Sequence, residues 1–392
     1  MNLIRPASSR IVIDGKVLVD DHFSGIGHYA MSLLQAVDQL LDEEPDIDVR
    51  LAAPYGRVAQ LGRFGFRRIR PLTLPVGYRT LRRLVEQGRM PQVDRLIGRG
   101  VYVFPNYVRW PLATSPSITA VHDLSFVKVP QTVDAPNRAY LDRVVRDSVE
   151  RSDLISVLTA TVGDEIVDHY GVDPDRIRVV GCAADTRHFY RRSDREVHEV
   201  TTRYGVYGPY VLSVGNIEPR KNQVRLLDAF CSLPRAVTDP YTLVLAGAGA
   251  WNREEIDARV EAALDDGHKV RLLLGDVTDA DLPALYTGAR CSAYVSIYEG
   301  FGMPPLESMA CRTPVLTSDR SVMPEVAGGA AVLADPYSVA SLAEGLGRLL
   351  TLDDAARADL IDAGLANVAR YRWTDAARAL LDATRELGAG PS

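Results

Sequence analysis

The sequence predicts an α/β protein made of two Rossmann-like domains, and three observations carry that reading. At 392 residues the chain is long for one doubly wound domain and suits two of nearly 200 residues each. Short apolar runs rich in β-branched residues alternate with stretches of helical period, the pattern of buried parallel strands covered by helices on both faces. The alternation stops in a polar stretch at 186–208 and then starts again.

In the first half, strands are expected at 10–13, 49–53, 101–104, 117–121, 154–158 and 177–180. The clearest helices fall at 27–41, 138–151 and 161–170, the last closed by Gly171 in the position a C-cap glycine favours. The stretch 186–208, with Arg191, Arg192, Asp194, Arg195 and Glu196, sustains no apolar pattern and reads as a linker. Beyond it come strands at 210–214, 242–246, 270–273, 293–296 and 315–317, with helices at 224–231, 253–264, 279–289, 305–311 and 339–350. The expected domains are 1–190 and 205–370, followed by a helical end at 371–392 whose last residues fray.

Composition narrows the function classes. Apolar residues make up 46% and charged residues 24%, values of a globular protein rather than of a disordered or fibrous one. No stretch approaches the roughly 18–20 apolar residues of a transmembrane helix, and the start MNLIRPASSR lacks the apolar core of a secretory signal, so a cytoplasmic protein is expected. Cys182, Cys231, Cys291 and Cys311 form no C-x-x-C pair and read as buried thiols. The net charge of −6 hides a local excess: residues 57–99 hold eleven arginines against two acids, Glu86 and Asp94. The same segment carries Leu61, Phe64, Phe66, Leu72, Leu74, Val76, Tyr78, Leu81 and Leu84. A solvated face with scattered core residues fits this mixture, and so does peripheral contact with an anionic membrane or a phosphorylated lipid; nucleic acid is not expected as a partner.

The most informative segment is Tyr298-Glu299-Gly300-Phe301-Gly302-Met303-Pro304-Pro305-Leu306-Glu307-Ser308-Met309-Ala310, which leaves a strand, turns through glycines and opens a helix at a proline. Backbone N–H groups at Phe301, Gly302 and Met303 at such a helix start suit an anion such as a diphosphate. Glu307 is expected in the helix's first turn and Glu299 at the strand exit. Carboxylates accept hydroxyl protons, so the pair suits a ribose and a hexose while backbone donors take the phosphates.

Glu299 and Glu307, with seven residues between them in EGFGMPPLESMA, resemble the E-x7-E motif of the retaining glycosyltransferases of the GT-B fold, specifically glycosyltransferase family 4. Ser213-Val214-Gly215-Asn216-Ile217-Glu218-Pro219-Arg220-Lys221-Asn222 resembles that family's diphosphate-binding segment, and Ser24-Gly25-Ile26-Gly27-His28-Tyr29 its N-terminal glycine loop. The resemblance covers most of the chain. It implies two Rossmann-like domains facing each other across a cleft, the nucleotide sugar held by the C-terminal one and the acceptor by the N-terminal one, with the last helix returning to the N-terminal domain. Arg220 and Lys221 would neutralise the diphosphate as it leaves. Glu299 would hold the hexose, Glu307 the ribose, and Gly27, Gly215, Asn216 and Gly300 to Met303 the rest of the donor, while Val277 and Leu282 would border the base. His122, in VHDLSF, would reach the donor sugar and its phosphate, with Asp123 orienting or structural. Gly25, Ile26, Tyr29, Asn106 and Tyr107 are the acceptor-side candidates, and Glu325 would lie in the segment behind the donor.

Two patterns and one rival activity point elsewhere and are discounted. Gly247-Ala248-Gly249 lacks the third glycine of a dinucleotide site. The triplets Asp46/Asp48, Asp173/Asp175 and Asp279/Asp281 lie in polar turns or helix starts and read as caps, so no metal and no cofactor are expected. An epimerase acting on nucleotide sugars would share the fold, but the three motifs together argue for transfer. The VHDLSF and SGIGHY segments lean toward mannose from GDP-mannose, donated to a glycan or lipid-linked glycan; a UDP-sugar fits the same motifs. No nucleophile with its own base is apparent, which favours front-face displacement through an oxocarbenium-like state.

Overall fold

The computed structural model describes residues 9–20, 25–87, 89–247 and 253–388. The chain divides into two compact units, the first made of Met1–Leu124, Ala135–Cys182 and Arg372–Ser392, the second of Ser125–Asp134 and Ala183–Tyr371. Ser24, Gly249 and the tail beyond residue 388 lie outside the described residues.

The first unit is built on seven parallel strands: β1 (Ser9–Asp14), β2 (Ile47–Tyr55), β3 (Arg70–Gly77), β4 (Val101–Phe104), β5 (Ser117–Ala120), β6 (Leu154–Val157) and β7 (Ile177–Val179), in the order β3-β2-β1-β4-β5-β6-β7. β4, β5 and β6 are buried at every residue, which is why they read as short unbroken apolar runs. Ile11 lies opposite both Val49 and Val101, so β1 is central and the order of strands reverses between β1 and β4. The helix Trp373–Gly388 belongs to this unit and packs along the helix Gly25–Leu40, tied down by Arg178–Glu386 and Arg385–Glu44 ion pairs of 2.5 Å.

The arginine-rich segment is more structured than its composition indicates. It supplies β3 and the helices Tyr78–Glu86 and Val93–Ile97. Leu61, Leu74 and Leu81 are buried, and Leu72, Val76 and Leu84 pack on the core around Val12, Tyr102, Phe104 and Trp110. Much of the apolar set is therefore spent inside. Buried acids anchor the segment: Asp38 accepts the amides of Arg67, Arg68 and Ile69, each at 2.8 Å, and Asp94 those of Ala113, Thr114 and Ser115. Burial pushes the Asp94 carboxyl up, and these amides more than reverse it, holding it at about 2. Arg63, Arg67, Arg70, Arg79, Arg83, Arg89, Arg95 and Arg99 are exposed.

The second unit carries six parallel strands: β8 (Tyr210–Val214), β9 (Thr242–Gly247), β10 (Val270–Leu274), β11 (Cys291–Tyr294), β12 (Val315–Ser318) and β13 (Val332–Ala334), ordered β10-β9-β8-β11-β12-β13. Here the reversal falls between β8 and β11, so the loops leaving these two strands flank the switch point where a doubly wound sheet binds its ligand. The expected linker is not one throughout. A helix spans Asp194–Arg203, opened by a capping box in which Ser193 and Glu196 bond each other's backbone, and Val200, Tyr204 and Val206 join the core. Two further expectations are corrected. Asp281 makes no cap bond but binds Arg203, Tyr204 and Thr278, and Cys231 is only half-buried while Cys182, Cys291 and Cys311 are buried.

Candidate functional site

The loops after β8 and β11 meet in one charged network. The turn Pro219–Lys221 follows β8 and ends at Asn222, whose backbone is left-handed (φ 64°) and whose side-chain amide donates to the carbonyls of Val295 and Pro336 at 3.0 and 2.7 Å. The amide of Ile297 donates to the Arg220 carbonyl at 2.8 Å, joining the two loops. Across this seam Glu299 takes Arg220 on one carboxylate oxygen and Lys221 on the other, both at 2.7 Å. Arg220 also holds Glu218 at 2.9 Å, and Lys221 donates to the Tyr294 hydroxyl at 2.6 Å. Glu299 is 6% exposed, so burial alone would push its carboxyl up; Arg220 and Lys221 more than reverse this and hold it at about 2. Burial pulls the Lys221 ammonium down, and Glu299 with Tyr294 bring it up to about 12. Both groups are thus charged at any ordinary pH. The sequence places cations and acid separately around a ligand, whereas the structure brings them into contact.

Gly215 and Asn216 sit at the same edge. A methyl group on Gly215 would lie 3.7 Å from Lys221 Cδ, and one on Gly247 would run into the Gly215 carbonyl, which accounts for Gly247 without a dinucleotide. The Gln223 side chain donates to the Asn216 carbonyl at 2.9 Å. Gly302 caps the helix Met303–Ala310 at φ 85°, and a methyl there would collide with the end of Met323. Met323 opens the short helix Met323–Ala327 that contains Glu325, so this segment backs the turn. Phe301 is buried edge-on against Tyr371, with ring centroids 5.6 Å apart. Glu307 is the fifth residue of its helix, in the second turn rather than the first, so the helix dipole does not explain it. It accepts from the Tyr286 hydroxyl at 3.1 Å, and burial raises its carboxyl to about 7. Val277 and Leu282 are half-buried beside the core that holds Tyr286.

In the first unit, His122 lies at the carboxyl edge of the sheet, 7% exposed. Its Nε2 is 2.8 Å from the Pro105 carbonyl, an oxygen that only accepts, so Nε2 carries the proton. Burial lowers the imidazole's affinity for a second proton, which leaves Nδ1 as an acceptor. Tyr29 and Tyr107 stand edge-on to the ring at 5.2 and 5.4 Å, and Tyr29 also meets Trp373 at 5.8 Å. Tyr29 is buried, 7% exposed. Asn106 folds its side-chain oxygen onto the Tyr107 amide at 3.0 Å. Gly25, Ile26 and Gly27 form the first turn of the helix Gly25–Leu40, not a loop.

Comparison with known proteins accounts for both units. Residues 203–366 match the family model of glycosyl transferases group 1, and residues 24–188 that of glycosyltransferase family 4. The chain belongs to glycosyltransferase family 4. Among relatives of this glycosyltransferase, the O-antigen chain mannosyltransferase B of Escherichia coli is 29% identical over 384 residues, 93% of this chain and 96% of that one. The serotype-specific mannosyltransferase WbdA of Escherichia coli is 28% identical over 62% of this chain, which spans only 30% of its length. A sucrose-phosphate synthase from Thermosynechococcus elongatus superposes with a TM-score of 0.70 at 18% identity, covering 98% of this chain and 100% of that one, so the glycosyltransferase has the GT-B fold. Among its described residues no helix is long and apolar enough to cross a membrane. Three residues of the site escape the sequence motifs: Tyr294, Tyr286 and Ser321, whose hydroxyl donates to the Glu299 carbonyl at 2.9 Å; Glu218 lies within a motif but its pairing with Arg220 is seen only in the structure. The two tyrosines end or face buried segments, where the sequence shows only another apolar residue.

Proposed function

We propose that this glycosyltransferase transfers mannose from GDP-mannose to a glycan or lipid-linked glycan, with retention of anomeric configuration. The observation that carries the donor site is Glu299 held as a carboxylate between Arg220 and Lys221 at the switch point of the second sheet. In this reading an incoming diphosphate shares the two cations with Glu299, and Glu299 keeps its carboxylate for the hexose hydroxyls. Glu307 accepts from the ribose, Val277 and Leu282 border the base, and Gly27, Gly215, Asn216 and the Gly300-Phe301-Gly302-Met303 turn complete the donor contacts. His122, neutral and with Nδ1 as an acceptor, suits a sugar hydroxyl better than a phosphate oxygen. The acceptor falls to Gly25, Ile26, Tyr29, Asn106 and Tyr107.

The departing diphosphate is stabilised by Arg220, Lys221 and the helix start at Gly302, and its oxygen takes the acceptor's proton as the new bond forms on the same face. Two adjacent cations supply the charge that other sugar transferases draw from a metal, so no metal is assigned. Mannose is favoured by the names of the Escherichia coli relatives. The exposed arginines of 57–99 would meet an anionic membrane carrying the acceptor.

Thermal unfolding with GDP, UDP, ADP and their sugars tests the donor, because a ligand that binds only the folded state raises the melting temperature. Stabilisation by GDP and GDP-mannose alone supports the proposal. Stabilisation by uridine nucleotides alone moves the donor to a UDP-sugar, and no stabilisation by any nucleotide overturns the site.

A further inference from the structure

We propose that Tyr294 is a positioning residue for the diphosphate: its hydroxyl holds Lys221 and its ring lies under the Gly302 turn, so one side chain spaces the cation from the helix start. The inference rests on the reading of Lys221 as a diphosphate ligand.

Tyr294 ends β11 and is 5% exposed. Its carbonyl accepts the Thr317 hydroxyl at 2.8 Å, which ties the strand end to β12 and fixes the ring's origin. From there the ring passes beneath the turn: a methyl group on Gly302 would sit 3.4 Å from Cε1. The Lys221 ammonium lies 5.0 Å from the ring centroid and donates to the hydroxyl at 2.6 Å. A lysine has four rotatable bonds, and one carboxylate does not fix it. Glu299 and Tyr294 together do, and they divide the work chemically. Glu299 holds the ammonium at the expense of its charge, while the neutral hydroxyl holds it without cancelling any, leaving attraction for phosphate. If packing were the whole role, a phenylalanine would serve, since the buried hydroxyl would otherwise cost desolvation for nothing. Because Lys221 shares Glu299 with the hexose, it meets the distal phosphate, the one that carries the sugar.

Tyr294→Phe keeps the ring and removes only the hydroxyl. Calorimetric affinities for GDP and GMP, or for UDP and UMP if uridine nucleotides are those that stabilise the protein, are compared in four forms: unmodified, Tyr294→Phe, Lys221→Ala and the double variant. GDP affinity is expected to fall about tenfold in Tyr294→Phe, the order of one hydrogen bond to a charged group, with GMP affinity unchanged. That loss should vanish in the Lys221→Ala background, where nothing remains to be positioned. Equal losses for GDP and GMP, no loss, or a loss that persists without Lys221 would overturn the proposal and leave Tyr294 a packing residue. Normal GDP affinity in Lys221→Ala itself would instead overturn the assignment of Lys221 to the diphosphate. The double variant orphans no ammonium, so its comparison with Lys221→Ala stands even if Tyr294→Phe folds poorly.

Discussion

Replacing Glu299 with glutamine removes the charge that Arg220 and Lys221 share, and stability and ligand affinity should then move in opposite directions. The carboxyl is shifted from 4.5 to about 2, a preference for the charged form of about 3 kcal/mol at 1.36 kcal/mol per unit. That agrees with the low end of the roughly 3–5 kcal/mol lost on breaking a buried ion pair, the low end because Arg220 keeps Glu218 and Lys221 keeps Tyr294. For a unit of about 150–250 residues, each kcal/mol moves the melting temperature by roughly 2–4 °C, so Glu299→Gln should melt about 6–12 °C lower. An anion then replaces the lost charge. GDP is expected to bind about tenfold tighter, and at one hundred times its dissociation constant to restore about 2.7 kcal/mol. Turnover should fall by about a hundredfold if Glu299 orients the hexose as proposed. The Glu299 contribution is present above pH 4.5 and fades as the pH falls toward 2, so the melting difference between the two forms should close in strong acid. Differential scanning calorimetry with and without GDP reads the changes in stability and affinity, and a sugar-transfer assay reads the change in turnover. A melting temperature within about 2 °C of the unmodified protein, or weaker GDP binding, would refute the network as the donor site.

Glu307 has the opposite sign. Its carboxyl is raised from 4.5 to about 7, so its stabilising form is complete below pH 4.5 and is lost as the pH rises through 7. Glu307→Gln should therefore melt higher than the unmodified protein at pH 8 and equally at pH 4.5, while binding nucleosides more weakly; a lower melting point at pH 8 would argue against a cost of burying the Glu307 carboxylate. Gly302→Ala forces a left-handed residue and a clash with Met323, and is expected to cost about 1–3 kcal/mol of stability by thermal melting and to weaken GDP binding; unchanged binding would remove the turn from the site. Turnover should survive EDTA within about twofold if Arg220 and Lys221 supply the charge, and activity lost to EDTA and restored by magnesium or manganese would assign a metal after all. Arg79→Glu with Arg83→Glu should reduce sedimentation with anionic vesicles more than tenfold, at about 1 kcal/mol per arginine, and binding indifferent to both changes would confine the segment to a solvated face.

What the sequence hides follows from how it signals structure. Parallel strands announce themselves because both faces are buried, and β4, β8 and the helix Val339–Leu350 stand where the apolar runs place them. β3 is different: it is an edge strand, exposed at Arg70, Pro71, Thr73 and Pro75, so its alternation is diluted by arginine and proline until only Leu74 is fully inside. The helix Asp194–Arg203 is hidden for a similar reason, since one apolar face among charged residues looks like a linker unless the Ser193-x-x-Glu196 box is given more weight than composition. The excursion of Ser125–Asp134 into the second unit leaves no local mark at all, because which unit buries Val129 against Ile297 and Tyr298 is decided by residues far away in the chain. The site divides along the same line. Glycines, prolines and paired charges are legible because each is a poor choice anywhere else. Tyr294 and Tyr286 are not, because a buried tyrosine reads as one more apolar residue until its hydroxyl is seen to meet Lys221 or Glu307. The residues proposed to do chemistry stand out in the sequence, and those that hold them in place are disguised as core.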